Sequence, residues 1–368
     1  MESSLSESWK LVRISSTEFF KRQISRMRKS LLHILQAAPG FFSINSLQSL
    51  TGQRMILPFY HSIQGDEALP HIRHLYYPRS KQQFEADLDF FLSHYQPISL
   101  QELIEAVQNE TELPDNAFFL SFDDGLRQVY DIAAPILKRK GVPATIFLNS
   151  KFVDNRALFF RYKVSLLIEV INNKKLTDAQ TSQLGEMLSL QSPEKALIEE
   201  DLLKLNYSQR DLPNQLAEVV EFDFANFLQK QQPYLTTPQI RQLKSDGFTI
   251  GAHSEDHPLY ADINLAEQIR QTEKSVDFVS RRFKTKYKAF SFPFSDHEVG
   301  AAFFDRMEED KITDVTFGCA GIKEDSYTTH FQRIPMEEFT NSAEEILRGE
   351  YLYYLLKSPI GRNYINRQ

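Results

Sequence analysis

Two short stretches of this chain hold residues whose types and spacing suit hydrolytic chemistry. SFDDG (121–125) ends an apolar run with two adjacent aspartates, Asp123 and Asp124, and GAHSEDHPLY (251–260) places His253 and His257 four residues apart. Side-by-side carboxylates repel, and each is costly to bury without a compensating charge or hydrogen bond. Asp-Gly is also a common turn signal, which is the plain structural reading of the first stretch. Four residues make about one helical turn, so both imidazoles can face one ion. The pair is not the zincin motif, because Ser254 stands where that motif carries its glutamate base. Two histidines with one aspartate supply three protein ligands and leave positions open, the arrangement of a catalytic metal. Water bound there has its pKa lowered to about 7, and a second carboxylate can take its proton. One aspartate then binds and its neighbour acts as base, with the cation relieving their repulsion. Adjacent side chains on a regular strand face opposite ways, so the chain must leave β geometry at Asp123, which Gly125 eases.

Short apolar runs must position these groups. MILPFY (55–60) leads into His61, AFFLSF (117–122) into Asp123, FTIGA (248–252) into His253 and KAFSFP (288–293) into Phe294. ATIFLN (144–149), TDVTFGC (313–319) and HFQRIP (330–335) complete the series, with helical stretches between. One of those helices stops at Gly141-Val142-Pro143. Continuous apolar strands alternating with helices predict an α/β fold with a buried parallel sheet, open or closed into a barrel. Such folds build their sites at the carboxyl ends of strands, where the polar groups fall. Residues 156–231 break the rhythm with helical, polar sequence and no strand pattern. They predict a helical insertion in one strand-to-helix loop, either packed beside the site or decorating the domain.

Composition narrows the classes. A chain of 368 residues holds one large domain or two ordinary ones. A formal charge of -7 argues against a general nucleic-acid binder. Cys319 is the only cysteine, which excludes an intramolecular disulfide and a Cys-ligated structural zinc site. No run approaches the roughly 18 apolar residues of a membrane span. MESSLSESWK lacks the charged and apolar regions of a secretory signal, so a cytoplasmic or inner-membrane-face location is expected. Residues 5–38 have apolar side chains at helical steps (Leu11, Ile14, Phe20, Ile24, Met27, Leu31, Leu35) and a basic opposite side. Such a helix either packs on the domain or makes peripheral contact with an anionic membrane surface.

SFDDG resembles the TFDDG motif of polysaccharide deacetylases, the NodB-homology domains of carbohydrate esterase family 4, and HSEDH is similar to their H-[ST]-x-x-H motif. The run LTTPQIRQLKSDGFTIGAHSEDH also resembles the family's approach from a helix into its histidine strand. The resemblance covers about residues 54–336, interrupted by the insertion. It implies a distorted (β/α) barrel of seven strands. The organisation expected is an N-terminal helical extension over 1–50 and a catalytic domain over 51–368, with the insertion at about 156–231. The implied activity is metal-dependent hydrolysis of acetyl groups, N-acetyl foremost, on a polysaccharide or glycoconjugate, with zinc as the expected cation. No nucleic acid and no obligate protein partner are expected.

Carried residue by residue, the resemblance makes Asp123 the general base and Asp124, His253 and His257 the metal ligands. The family's R-x-P-Y motif stands here as Ser291-Phe292-Pro293-Phe294. Phe294 can keep the backbone N–H that contacts the oxyanion, but the arginine that orients the base is absent at Ser291. Arg333, in QRIP after a late strand, is the candidate substitute. The family's C-terminal histidine acid has no match. His61 is the first candidate, because PFYH resembles the Y-H of one branch, followed by His297 and His330. In HIRHLYYPRS (71–80), His71, Arg73, His74, Tyr76 and Tyr77 are placed to line a sugar cleft, since aromatic faces stack on sugars. Two other readings stay open. A non-haem iron oxygenase uses two histidines and one carboxylate, but asks for an all-β double sheet and leaves Asp123 idle. A sugar-binding relative without turnover is favoured by the missing arginine.

Overall fold

The computed structural model describes residues 42–337 and 341–367, together with Leu35. Apart from Leu35, the basic helix expected over 5–38 lies outside the described residues. The described residues divide into two compact units: those up to Gln53 group with Asn341–Asn363, and those from Arg54 onward group with the residues from Tyr364 on. The segment 341–363 thus joins the first unit, whereas the expected division kept it with the catalytic domain. In that unit the helix Ile44–Thr51 opens on Ser43, whose hydroxyl accepts the Ser46 N–H, and stops at Gly52 in the left-handed conformation. Helix Ala343–Lys357 starts with a Ser342/Glu345 capping box.

The second unit is built on one parallel sheet. Its strands are β1 (Pro58–Tyr60), β2 (Ser121–Phe122), β3 (Thr145–Leu148), β4 (Thr249–Ala252), β5 (Ala289–Ser291), β6 (Val315–Gly318), β7 (His330–Gln332) and β8 (Ile334–Pro335). They run in the order β7-β6-β5-β4-β3-β2-β1-β8, all pairs parallel. The two strands at the ends of that order are one stretch of chain divided only at Arg333. There the Arg333 N–H donates to Gly318 O on the β6 side at 3.2 Å, and the next N–H, of Ile334, donates to Leu57 O on the β1 side at 2.9 Å. The stretch changes neighbours at Arg333 and so closes the sheet into a barrel. Eight strand segments replace the seven strands expected, because the closing strand is split where it switches partners. This parallel barrel is not the all-β double sheet that an iron oxygenase reading asks for.

Residues on these strands are buried on both faces, which is why they read as unbroken apolar runs. Phe119, Phe147 and Phe317 meet in the core, with the Phe119 and Phe317 rings stacked at 5.1 Å. An offset pair of this kind contributes about 0.5–1.5 kcal/mol beyond its buried area. The helix Leu100–Asn109 covers this cluster with Leu100, Leu103 and Ile104 on one face, and a Ser99/Glu102 capping box fixes its start.

Between β3 and the helix Thr237–Ser245 lie the helices Phe160–Asn173, Asp178–Met187, Lys195–Lys204, Leu212–Val219 and Phe224–Gln231, with no strand. They share a small core of their own, including Val164, Leu167, Leu184, Leu202 and Leu216. The first of them has a second apolar face. Tyr162 and Leu166, four apart, cluster instead with Leu69, Ile72 and Leu126 from loops at the strand ends. The insertion therefore packs beside the residues that follow β2. Among the described residues no helix is long and apolar enough to cross a membrane.

Candidate active site

Strand β2 ends at Phe122, and the backbone turns at once: Asp124 and Gly125 have φ of 69° and 62°. Asp tolerates this left-handed region and Gly enters it freely. The turn sends the neighbouring carboxylates to different partners. Asp123 meets the closing strand, where Arg333 Nη1 donates to its Oδ1 at 2.8 Å and Nη2 to its Oδ2 at 2.7 Å. Asp124 Oδ1 lies 3.1 Å from His257 Nε2 and 3.6 Å from His253 Nε2. His253 stands too far off for a hydrogen bond, and Oδ1 is a buried oxygen with no hydrogen-bond donor among the described residues.

The histidines reach this point differently from the expected helical turn. His253 follows the last residue of β4, and residues 253–257 form a loop. Ser254 and His257 both adopt positive φ, 68° and 65°, and the Ser254 hydroxyl accepts the His257 N–H at 2.9 Å. The loop folds back so that the two rings stand 4.9 Å apart and nearly perpendicular. His253 Nδ1 donates to the Ser291 carbonyl at 2.8 Å. A carbonyl only accepts, so the proton sits on Nδ1 and the Nε2 lone pair faces Asp124. Burial holds the His253 imidazole down to about 4, against the pull of Asp123, so it is neutral at physiological pH. Asp124, His253 and His257 are all buried and offer three ligand atoms within 4.8 Å of one another. The orphaned Oδ1 and the two imidazoles form a donor set that fits a divalent cation, zinc among them.

Asp123 is held ionised. Burial would raise its carboxyl, but the Arg333 charge, then His253 and the Arg333 hydrogen bonds, outweigh it and keep the carboxyl below the usual range. Arg333 is fully buried. Its guanidinium lies 4.3 Å from the centre of the Phe59 ring and also donates to Ser121 Oγ, Gly318 O and Ser291 Oγ. Ser291 Oγ in turn lies 3.3 Å from Asp123 Oδ2. A hydroxyl on β5 thus stands at the motif arginine's position, and a guanidinium from the closing strand reaches the Asp123 carboxylate. For Asp124, too, burial would raise the carboxyl, yet the nearness of His257, then the charge of His61, hold it far below the usual range.

His61 stands at the end of β1. Glu337 accepts three N–H groups there: His61 N at 2.7 Å, His61 Nδ1 at 2.6 Å and Ser62 N at 3.0 Å. Tyr76 stacks on the His61 ring at 4.6 Å. Burial would lower the His61 pKa, but the hydrogen bond and charge of Glu337, followed by the charges of Asp124 and Asp123, carry it up to about 9. The other candidate acids sit elsewhere. His297 is exposed, and His330 is buried between Thr316 and Asp296.

Phe294, at φ 56°, places its exposed ring edge-on to His257 at 4.5 Å. Of the loop residues expected to line a cleft, Tyr76 lies against the His61 ring and Tyr77 is exposed. Arg73 and His74 instead pair with Glu169 of the insertion. His71 is buried behind Tyr162 and Phe227, and burial with the Arg127 charge lowers it to about 4.

Three residues at the site were not singled out by sequence. Glu337 follows β8 as the other polar residues follow their strands, and that position was its signal. Phe159 packs on His257 at 4.3 Å, and Tyr162 donates to Asp124 Oδ2 at 2.6 Å. These two stand three apart at the start of the insertion's first helix, a spacing that a core-facing stripe shares.

The sequence matches the polysaccharide deacetylase family over residues 110–200 and 207–304, which include both motif stretches. The deacetylase PplD of Streptococcus pyogenes, solved in complex with acetate, aligns with a TM-score of 0.51 at 14% identity over 80% of this chain and 97% of that one. IcaB from Ammonifex degensii gives 0.51 at 14% identity over 82% of this chain and 98% of its own. At such identity the likeness is one of fold. No curated protein matches the sequence.

Proposed function

We propose, from the premise that the chain belongs to the polysaccharide deacetylase family, that it hydrolyses acetyl groups, N-acetyl foremost, on a glycan or glycoconjugate, using a divalent cation held by Asp124, His253 and His257. Zinc is the first candidate for that cation. The observation that carries this reading is the convergence of Asp124 Oδ1 and the two Nε2 atoms beside an Asp123 clamped by Arg333. When bound, the cation lowers the pKa of water and polarises the acetyl carbonyl.

The chain's own residues handle the protons. Asp123, ionised and oriented by both Arg333 nitrogens, accepts a proton from the attacking water as its oxygen bonds to the carbonyl carbon. The Phe294 N–H is the backbone donor proposed for the developing oxyanion. Collapse breaks the C–N bond, acetate departs, and His61 gives its proton to the leaving amine nitrogen. Glu337 holds the His61 ring and keeps it protonated at neutral pH. Protons exchanged with solvent restore both groups.

Zinc content and acetate release from N-acetylated oligosaccharides test this in one preparation of the full chain. One zinc per chain with acetate release is the expected result. Oligosaccharide binding with no acetate from any acylated glycan would favour the sugar-binding reading instead.

A further inference from the structure

Among the groups around Asp124, Tyr162 has a different origin from the rest. The ligands and the base stand at strand ends, whereas Tyr162 comes from the insertion helix Phe160–Asn173. Its ring is 1% exposed, held by Phe159 at 5.1 Å and by a parallel Tyr234 at 6.0 Å. Its hydroxyl donates to Asp124 Oδ2 at 2.6 Å, while Oδ1 is the oxygen turned toward the two imidazoles. The same hydroxyl lies 3.2 Å from Tyr76 Oη. A tyrosine has one proton to give. With Tyr162 donating to Asp124, the proton between the tyrosines belongs to Tyr76. The order is therefore Tyr76 to Tyr162 to Asp124, and the Tyr76 ring ends that chain against His61.

We propose that Tyr162 is a positioning residue by which the helical insertion holds Asp124 for ligation through Oδ1 alone. This rests on the reading that Asp124, His253 and His257 hold a cation. A carboxylate with both oxygens free can rotate and can offer a cation one oxygen or two. A short, charge-assisted hydrogen bond on Oδ2 removes that freedom and directs the other oxygen to the shared point. The insertion is then part of the site's construction.

Zinc affinity of the full chain, read by competition with a chromophoric chelator, tests the proposal. Tyr162→Phe keeps the ring and removes the proton, and is expected to weaken zinc binding about 10- to 100-fold, the usual cost of losing a group that supports a ligand. Tyr234→Phe is the packing control: its hydroxyl accepts the Phe159 N–H and does not touch Asp124. It is expected to bind zinc as the wild type does. Metal-free melting temperatures of the two variants establish that both fold. Zinc binding by Tyr162→Phe that equals or exceeds wild type overturns the proposal, as does an equal loss in both variants, which would assign the effect to packing. A wild-type chain that binds no zinc would instead bring down the metal reading itself, a distinguishable result.

Discussion

Two clusters in this molecule contain the same ingredients and differ in what faces them. Asp124, His253 and His257 converge with Oδ1 of the aspartate lacking a donor among the described residues, and the Arg333 guanidinium is engaged with Asp123. Asp296, Asp325 and His330 converge as tightly. There, however, Arg367 enters the cluster: its Nη2 donates to Asp296 Oδ2 and, at 2.7 Å, to Asp325 Oδ2. Gln332 Nε2 adds a donor to Asp296 at 2.7 Å. Burial would raise the Asp296 carboxyl, but His330 and Arg367 hold it far below the usual range. The second cluster has its cation built into the chain, as an internal clasp between the β5–β6 region and the strand Tyr364–Ile365. Ligand types within reach of one another do not define a metal site. The groups that satisfy their charge decide between a site and a clasp.

The strongest way to break this contrast is to neutralise one aspartate in each cluster. Asp124→Asn is expected to lower zinc affinity by more than about 100-fold, beyond the cost of losing a supporting residue, and to abolish acetate release. Asp296→Asn should keep one zinc per chain. Zinc lost by the Asp296 variant and kept by the Asp124 variant, read by metal analysis after dialysis, would invert the assignment. Next in size, Asp123→Asn should retain zinc and lose turnover by about 10²- to 10⁴-fold, the contribution typical of a positioned base. If it releases its zinc as Asp124→Asn does, the two carboxylates do not have separate tasks.

A smaller effect should separate the clasp from the site. Arg367→Met leaves two buried carboxylates without their guanidinium, and removing one partner of a buried pair costs about 3–5 kcal/mol. Urea unfolding should show that loss while zinc content per folded chain stays unchanged. Stability within about 1 kcal/mol of wild type would mean that Asp296 and Asp325 do not depend on Arg367.

Much of the site was legible because parallel strands buried on both faces read as continuous apolar runs, and whatever ends such a run stands at the barrel's carboxyl rim. His61, Asp123, Asp124, His253 and Phe294 follow from that rule. Arg333 was legible as a candidate, but its bidentate grip depends on the closing strand changing neighbours at that residue, which no periodicity encodes. The His253–His257 spacing suggested a helical turn; the structure uses a loop with two positive φ values to bring the rings together. Tyr162 was hidden because a helix stripe that meets a site has the same spacing as one that meets a core. Glu337 had a positional signal just past the closing strand, but its pairing with His61, 276 residues away, had none.

The histidines sharpen the comparison at its finest scale. His330 and His61 each face a buried carboxylate, but the His330 side chain is closed to solvent, whereas that of His61 is 24% exposed and can pass a proton outward. Glu337 supplies the two largest influences raising His61 from 6.5 to about 9. A histidine raised in the folded state contributes stability that is fully present below about 6.5 and is lost as the pH climbs through about 9. In the proposed mechanism the same proton serves the leaving amine, so kcat/KM should hold into the alkaline range and fall as His61 loses it. Glu337→Gln removes the charge that keeps the proton, and the alkaline limb should move down by about one to three units. The fall in Tm between pH 6.5 and 9 should flatten in the same variant, with zinc affinity unchanged. An alkaline limb that stays in place while the Tm profile flattens would show that His61 titrates as described but does not donate the proton.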